Sequence, residues 1–161
     1  MNAQQVADIF IEQTVLQPSQ AEDVLQEAKL NGKTAEQALI DCGFVDRRGF
    51  YQVIAEALAT EFVELPAEEI PQEILRLIPA GLARLYRALP VALSDHTLDV
   101  ALVDPLDLRA AEDLRFALGK DIHVVVAPAE EVEERINRYY GSDSSGMEDI
   151  LKQLGETGEL L

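Results

Sequence analysis

Apolar residues in the first 65 positions recur three and four places apart, which is the spacing of amphipathic helices. Val6, Phe10 and Ile11 predict a first helix at the start of the chain. Pro18 and Asp46 are typical of helix starts, because proline lacks an amide hydrogen and aspartate can accept one. We therefore predict four helices in this part of the chain.

The same helices contain an internal repeat. A shift of 29 positions places Phe10 on Leu39 and Val24 on Val53. Two helix–turn–helix units in tandem explain this pattern, because each unit has an incomplete core that its neighbour completes.

Strand and helix patterns alternate in the second part of the chain. Two apolar runs, 88–93 and 97–103, enclose a three-residue polar tip and predict a β-hairpin. A helix that ends before Gly119, a β-branched strand over 122–126 and a last helix follow. The order β-β-α-β-α predicts parallel second and third strands, because a strand–helix–strand connection forms a right-handed crossover.

These patterns predict an α+β fold with two halves and a tail. Residues 1–65 form a helical tandem-repeat subdomain and residues 66–141 a small α/β subdomain of about three strands, with Pro66 at the boundary. The glycine and serine content of residues 142–161 predicts a flexible linker. Apolar residues at helical spacing after Met147 predict a short amphipathic helix within it.

The charge of the chain excludes several classes of partner. It has 30 acidic and 13 basic residues, and the net charge is −17. Such a surface repels phosphate backbones and anionic lipids, so we expect neither a nucleic-acid partner nor a membrane surface. No apolar run approaches the ~20 residues of a membrane span, and no signal-peptide pattern opens the chain. We expect a cytoplasmic protein.

Several blocks after residue 78 resemble a known family. They are Ile78-Pro79, Leu82-Ala83, RALP at 87–90, LDVALVDPLD at 98–107, Leu114-Arg115-Phe116 and INRYYG at 136–141. Together they resemble the N-terminal domain of the ATPases of bacterial type II secretion and type IV pilus systems. Residues 1–65 are similar to the first part of that region. In such proteins a P-loop motor domain follows a linker, and we expect that motor to lie outside these 161 residues.

The resemblance implies a non-catalytic adaptor domain without cofactor or metal. Its partner would be a cytoplasmic domain of an inner-membrane platform protein, and the motor would be attached in cis. The domain would then work at the inner face of the bacterial inner membrane. A free-standing signalling adaptor is an alternative.

A second alternative is a cyclic di-GMP sensor, because some relatives bind this nucleotide through two tandem motifs that begin Arg-Leu-Gly. The corresponding positions hold Gln5-Val6-Ala7 and Thr34-Ala35-Glu36, and the closing glutamine positions hold Ala28 and Ala57. A phosphate and guanine site needs an arginine fork and a glycine that lets the backbone approach closely. Glu36 would in addition repel phosphate. The motif residues are therefore degenerate here.

Two further patterns have chemical and structural interpretations. Gly32-Lys33-Thr34 mimics the end of a P-loop, but the motif also requires a glycine where this chain has Glu27, so we interpret it as a helix end and a helix cap. Carboxylates near the strand ends, centred on Asp104, could bind Mg²⁺ in a hydrolase. We instead expect Asp104 to be a structural cap of the following helix.

The triplet Ile9-Phe10-Ile11 is the candidate docking surface. Three consecutive apolar residues on a helix spread over about 200° of arc, which is wider than one core stripe needs. Either this helix packs on two sides or one of the three side chains faces a protein partner.

Overall fold

The computed structural model describes residues 1–65 and 67–141, which form an α+β fold. The helices are α1 (Ala3–Glu12), α2 (Pro18–Asn31), α3 (Ala35–Asp41), α4 (Arg47–Ala57), α5 (Gln72–Leu75), α6 (Ala80–Tyr86), α7 (Leu108–Leu118) and α8 (Ala129–Tyr140). The strands are β1 (Ala88–Ser94), β2 (Thr97–Leu102) and β3 (Asp121–Val125), in the sheet order β1-β2-β3. Pro66 and the predicted linker and amphipathic helix of residues 142–161 lie outside the described residues.

Local capping chemistry sets the boundaries of the first four helices. Asn2 accepts a hydrogen bond from the Gln5 amide at 2.8 Å, and α2 begins at Pro18. The Asp46 carboxylate accepts from the amide of the third residue of α4 at 2.7 Å. Gly32 ends α2 with a φ of 63°, which a residue without a Cβ adopts at little cost. The four predicted helices are confirmed.

The turns within the two units repeat each other. The Val15 amide donates to the carbonyl of Phe10, and 29 residues later the Phe44 amide donates to the carbonyl of Leu39. The residues before these amides, Thr14 and Gly43, both have positive φ, of 60° and 79°. The 29-residue repeat is therefore a repeat of backbone conformation as well as of apolar pattern.

The first core lies between the two helix–turn–helix units. Phe10 and Phe50 are completely buried and their rings stack with centroids 5.6 Å apart. Leu39 and Ile54 complete the centre of this core. The rings of α1 and α4 thus link the first unit to the second, as the incomplete cores of the single units require.

The sheet has the predicted topology with a shorter hairpin tip. β1 and β2 are antiparallel, and the pairing continues to Ser94 opposite Thr97, so that the tip contains two residues and not three. Asp95 at the tip has a φ of 53°, the left-handed conformation that two-residue hairpin turns require. β2 and β3 are parallel, as the crossover predicted.

Helices cover both faces of the sheet. Leu98, Val100 and Leu102 share one buried cluster with Leu114 of α7. Ala101, on the opposite face, is equally buried because α8 covers that side with Val132 and Ile136.

The segment after α4 joins the helical half to the sheet. Val63 donates its amide to the Val126 carbonyl at 2.8 Å, and Val126 donates to the Glu61 carbonyl at 3.0 Å. Phe62 thereby forms a parallel bridge beyond β3, and Val126 packs into the helical core.

The start of α7 corrects one expectation. The helix begins at Leu108, and its N-cap is Asp107, whose carboxylate accepts from the Ala110 amide at 3.3 Å. Asp104 was expected to be this cap. It lies three residues earlier and accepts from the Leu106 amide at 3.1 Å, within the turn that precedes the helix.

Replacement of Asp107 by alanine is expected to lower the free energy of unfolding by about 1 kcal/mol, because the first turn of α7 loses its side-chain acceptor. Asp107→Asn is the matched control, since asparagine caps helices equally well. Urea denaturation of both variants tests this. If Asp104→Ala lowers the free energy of unfolding and Asp107→Ala does not, Asp104 and not Asp107 is the cap of α7.

Candidate functional site

The two halves enclose a cleft of about 440 Å³. One wall consists of the starts of α1 and α3 with part of α4, and the other of the end of α6, the end of β2 and the start of α7. Its polar lining includes Thr34, Glu36, Arg87, Asp104 and Asp107. Residues that are far apart in the sequence therefore meet at one place.

Both degenerate motif openings face this cleft. Val6 from the first and Thr34, Ala35 and Glu36 from the second contribute to its lining. Val6 and Ala35 are buried, so the apolar position of each motif serves the core. The sequence predicted which positions correspond, but not that they would share one cleft.

The cleft is acidic. Three carboxylates, those of Glu36, Asp104 and Asp107, line it together with two cations, the Arg87 guanidinium and the Met1 ammonium, which lies 2.9 Å from Asp104 Oδ2. The Arg87 guanidinium also lies 3.6 Å from Glu133. The lining therefore has one more carboxylate than cation, and this excess of negative charge suits a cationic group better than a phosphate.

Tyr51 connects the cleft wall to the last helix. Its side chain is 1% exposed, and its hydroxyl donates to Glu36 Oε2 at 2.7 Å and accepts from the Ala129 amide at 3.1 Å. Burial, followed by the hydrogen bond to Glu36, raises the pKa of Tyr51 far above its ordinary value. The phenol therefore stays protonated and remains a donor to Glu36. Sequence reasoning missed Tyr51, whose one signal is a hydroxyl on the apolar side of α4.

The P-loop-like tripeptide is a pair of helix caps. Gly32 ends α2, and Thr34 caps α3 by accepting from the Gln37 amide at 3.1 Å. Lys33 Nζ lies 3.0 Å from Glu27 Oε1 and 2.6 Å from Asp41 Oδ2. This lysine bridges two carboxylates within the helical half.

The Lys33 bridge should be visible in acid titrations. Hydrogen bonds from Lys33 lower the pKa of Glu27 and of Asp41. A carboxyl with a lowered folded-state pKa adds stability above its unfolded-state pKa, and this stability is lost as the pH falls through the folded-state value. We expect Lys33→Ala to raise both pKa values towards their ordinary range. NMR titration of the side-chain carboxyl carbons measures this. The control is Lys29→Ala, which removes an exposed lysine of α2 and should change neither value.

Asp99, His123 and Thr60 lie in a row like the catalytic triad of a hydrolase, but the threonine hydroxyl does not donate to the histidine. His123 Nδ1 lies 3.0 Å from Asp99 Oδ1, and Nε2 lies 3.1 Å from Thr60 Oγ1. The Thr60 hydroxyl, however, donates its hydrogen to the Val124 carbonyl at 2.7 Å. A nucleophile must give this hydrogen to the imidazole. The row therefore links the segment after α4 to the sheet.

The described residues contain no cluster of three or more histidine, cysteine, aspartate or glutamate side chains that could bind a metal ion. No helix in this part of the chain is long and apolar enough to cross a membrane.

Two large apolar side chains of α7 are exposed, whereas the candidate docking triplet of α1 is buried or half-buried. Phe10 is buried, while Ile9 and Ile11 are half-buried against the same core. Phe116, on the outer face of α7, is 92% exposed. Leu108, the first residue of the same helix, is also exposed. Phe116 entered the sequence analysis as part of a family block, because a single phenylalanine does not show which way it faces.

These features define a small α+β domain with an acidic cleft between its two halves. The MshEN domain family model matches residues 58–146, more than half of the chain. The chain belongs to the MshEN domain family, the N-terminal domain of type II secretion and type IV pilus ATPases. The resemblance found in the sequence is confirmed.

Curated relatives are ATPases of these systems. The type IV pilus assembly ATPase PilB of Myxococcus xanthus is 24% identical over 155 residues, which cover 96% of this chain and 27% of that protein. The type II secretion system protein E of Xanthomonas campestris is 27% identical over 116 residues, 68% of this chain and 20% of that protein. The chain thus spans 27% or less of the length of these relatives.

Two solved structures have the same fold. The structure of MshE with cdg (cyclic di-GMP) has a TM-score of 0.67 and 29% identity, covering 84% of this chain and 98% of that one. The N-terminal domain of XpsE has a TM-score of 0.53 and 22% identity, covering 88% of this chain and 98% of that one. Both similarities confirm the α+β fold predicted from the sequence.

Proposed function

We propose that this chain is a non-catalytic adaptor domain of a secretion or pilus assembly ATPase, and that it docks the motor onto a cytoplasmic domain of the inner-membrane platform protein. Membership of the MshEN family carries this proposal, since the matched relatives are by name a type IV pilus assembly ATPase and a type II secretion system protein. ATP hydrolysis would belong to a motor domain in the same polypeptide. The domain would work in the cytoplasm at the inner face of the inner membrane.

The incomplete phosphate-binding motif around Lys33 supports a non-catalytic role. The sequence contains no complete P-loop, because Glu27 stands where the motif needs glycine. Lys33, the lysine of the partial motif, is held by Glu27 and Asp41.

Surface charge and one exposed aromatic ring support protein docking. A net charge of −17 attracts a basic partner surface and speeds association. Phe116 is the anchor we assign, because large aromatic side chains that become buried dominate interface energies and this ring is nearly fully exposed. The docking role first expected for Ile9-Phe10-Ile11 stays a prediction, which now concerns Ile9 and Ile11 because Phe10 is buried.

Surface plasmon resonance with the purified cytoplasmic domain of the platform protein tests the adaptor role. We expect saturable binding whose association rate falls about tenfold or more from low to high salt, because the acidic chain steers a basic partner. Absence of saturable binding at low salt would overturn the adaptor role. Sequencing the gene beyond codon 161 for a P-loop motor separates an ATPase domain from a free-standing adaptor.

A further inference from the structure

The structure of MshE with cdg raises the question of whether this chain has a site for the same nucleotide. The residues of the cleft do not fit it. In the two tandem motifs of relatives that bind cyclic di-GMP, the first position is arginine. This chain has Gln5 and Thr34 there, and neither side chain can form the two-pronged hydrogen bonds of a guanidinium. Ala7 is buried, so its Cβ occupies core space at a glycine position. Glu36 occupies the second glycine position with a negative charge.

Charge opposes the nucleotide further. Cyclic di-GMP carries two phosphodiesters, and the cleft would face them with Glu36, Asp104 and Asp107. The Met1 ammonium pairs with Asp104 and Arg87 adds a second cation, but the carboxylates still outnumber the cations. Two further anions are unfavourable in this partly enclosed cleft, because water screens charges less there than on an open surface.

Glu36 has a protein partner instead. Tyr51 of α4 donates to its carboxylate and accepts from the Ala129 amide, so that one buried hydroxyl bridges α3 and α8. Ala129 is the first residue of α8, and its amide has no acceptor within the helix. The rings of Phe50 and Phe62 hold Tyr51 in place, with centroids 4.9 Å and 6.5 Å away.

A second contact from α4 reaches the same helix end. The Arg47 guanidinium lies 3.8 Å from Glu130 and 3.9 Å from Glu131, both in the first turn of α8. The contacts of Tyr51 and Arg47 together connect the tandem-repeat half to the helix that covers the sheet.

We infer that the cleft of this domain does not bind cyclic di-GMP, and that the hydrogen-bonded clasp Glu36–Tyr51–Ala129 ties the tandem-repeat half to α8 without nucleotide. The domain is therefore insensitive to this second messenger. Docking onto a platform protein requires neither the clasp nor insensitivity to cyclic di-GMP, so this inference is separate from the proposed function.

The first experiment is isothermal titration of the full chain with cyclic di-GMP, with the MshE domain as the positive control. We expect no heat of binding from this chain under conditions in which MshE is saturated. Saturable binding by the full chain would overturn the inference.

The second experiment is hydrogen exchange on Tyr51→Phe, which removes one hydroxyl and keeps the ring. We expect the amides of the first turn of α8, Ala129 above all, to exchange about tenfold faster, while α7 amides keep their rates. Tyr86→Phe is the matched control, because Tyr86 is a half-buried tyrosine on α6 whose hydroxyl is beside Asp113 of α7. It should leave α8 unchanged.

Substitutions of Glu36 provide an independent readout. Glu36→Gln keeps an oxygen acceptor and should retain most of the protection of α8, whereas Glu36→Ala should resemble Tyr51→Phe. Unchanged exchange at Ala129 in both Tyr51→Phe and Glu36→Ala would overturn the clasp, even if the chain fails to bind nucleotide.

Discussion

Replacement of Phe10 by alanine is expected to lower the free energy of unfolding by about 3–5 kcal/mol. The side chain is 0% exposed and stacks on Phe50 across the boundary between the two repeated units. Its loss leaves a cavity at the place where each unit completes the core of the other. Urea denaturation followed by circular dichroism measures the change.

The control for Phe10→Ala is Leu30→Ala on α2. Leu30 is 79% exposed, so this truncation should change the free energy of unfolding by less than about 0.5 kcal/mol. A Phe10→Ala variant that unfolds like the original chain yet loses affinity for the platform domain would make Phe10 a docking residue.

Replacement of Phe116 by alanine is expected to weaken binding to the cytoplasmic domain of the platform protein by about 2 kcal/mol, roughly 30-fold in Kd. The ring makes little contact within the domain, since 92% of its surface is exposed. The free energy of unfolding should therefore stay within about 0.5 kcal/mol of the original. Most of the affinity change should be a faster dissociation rate, which surface plasmon resonance separates from association.

Leu30→Ala also serves as the matched control for binding, because it removes an exposed apolar side chain from the other half of the domain. Ile9→Ala and Ile11→Ala test the first docking surface in the same assay. If these two variants weaken binding selectively and Phe116→Ala does not, the anchor lies on α1.

Local signals in the sequence were sufficient for most helices and strands. Pro18 and Asp46 start helices and Gly32 ends one, because each acts on backbone groups within three or four residues. The 29-residue repeat was equally readable, since it depends on apolar spacing alone. The cap of α7 was placed at Asp104 and not Asp107 because both aspartates lie within one turn of the helix start and sequence alone did not distinguish them.

The cleft, the clasp and the exposed ring required the folded chain. Tyr51 bonds to Ala129, 78 residues away, and no pattern within a few residues of either one indicates that contact. The fully buried Phe10 and the exposed Phe116 are alike as residues, and only the neighbouring helices make one a core side chain and the other a surface one. Residue spacing specifies which face of a helix is apolar. Which second element covers that face depends on long-range packing, whose free energy is shared among many distant residues.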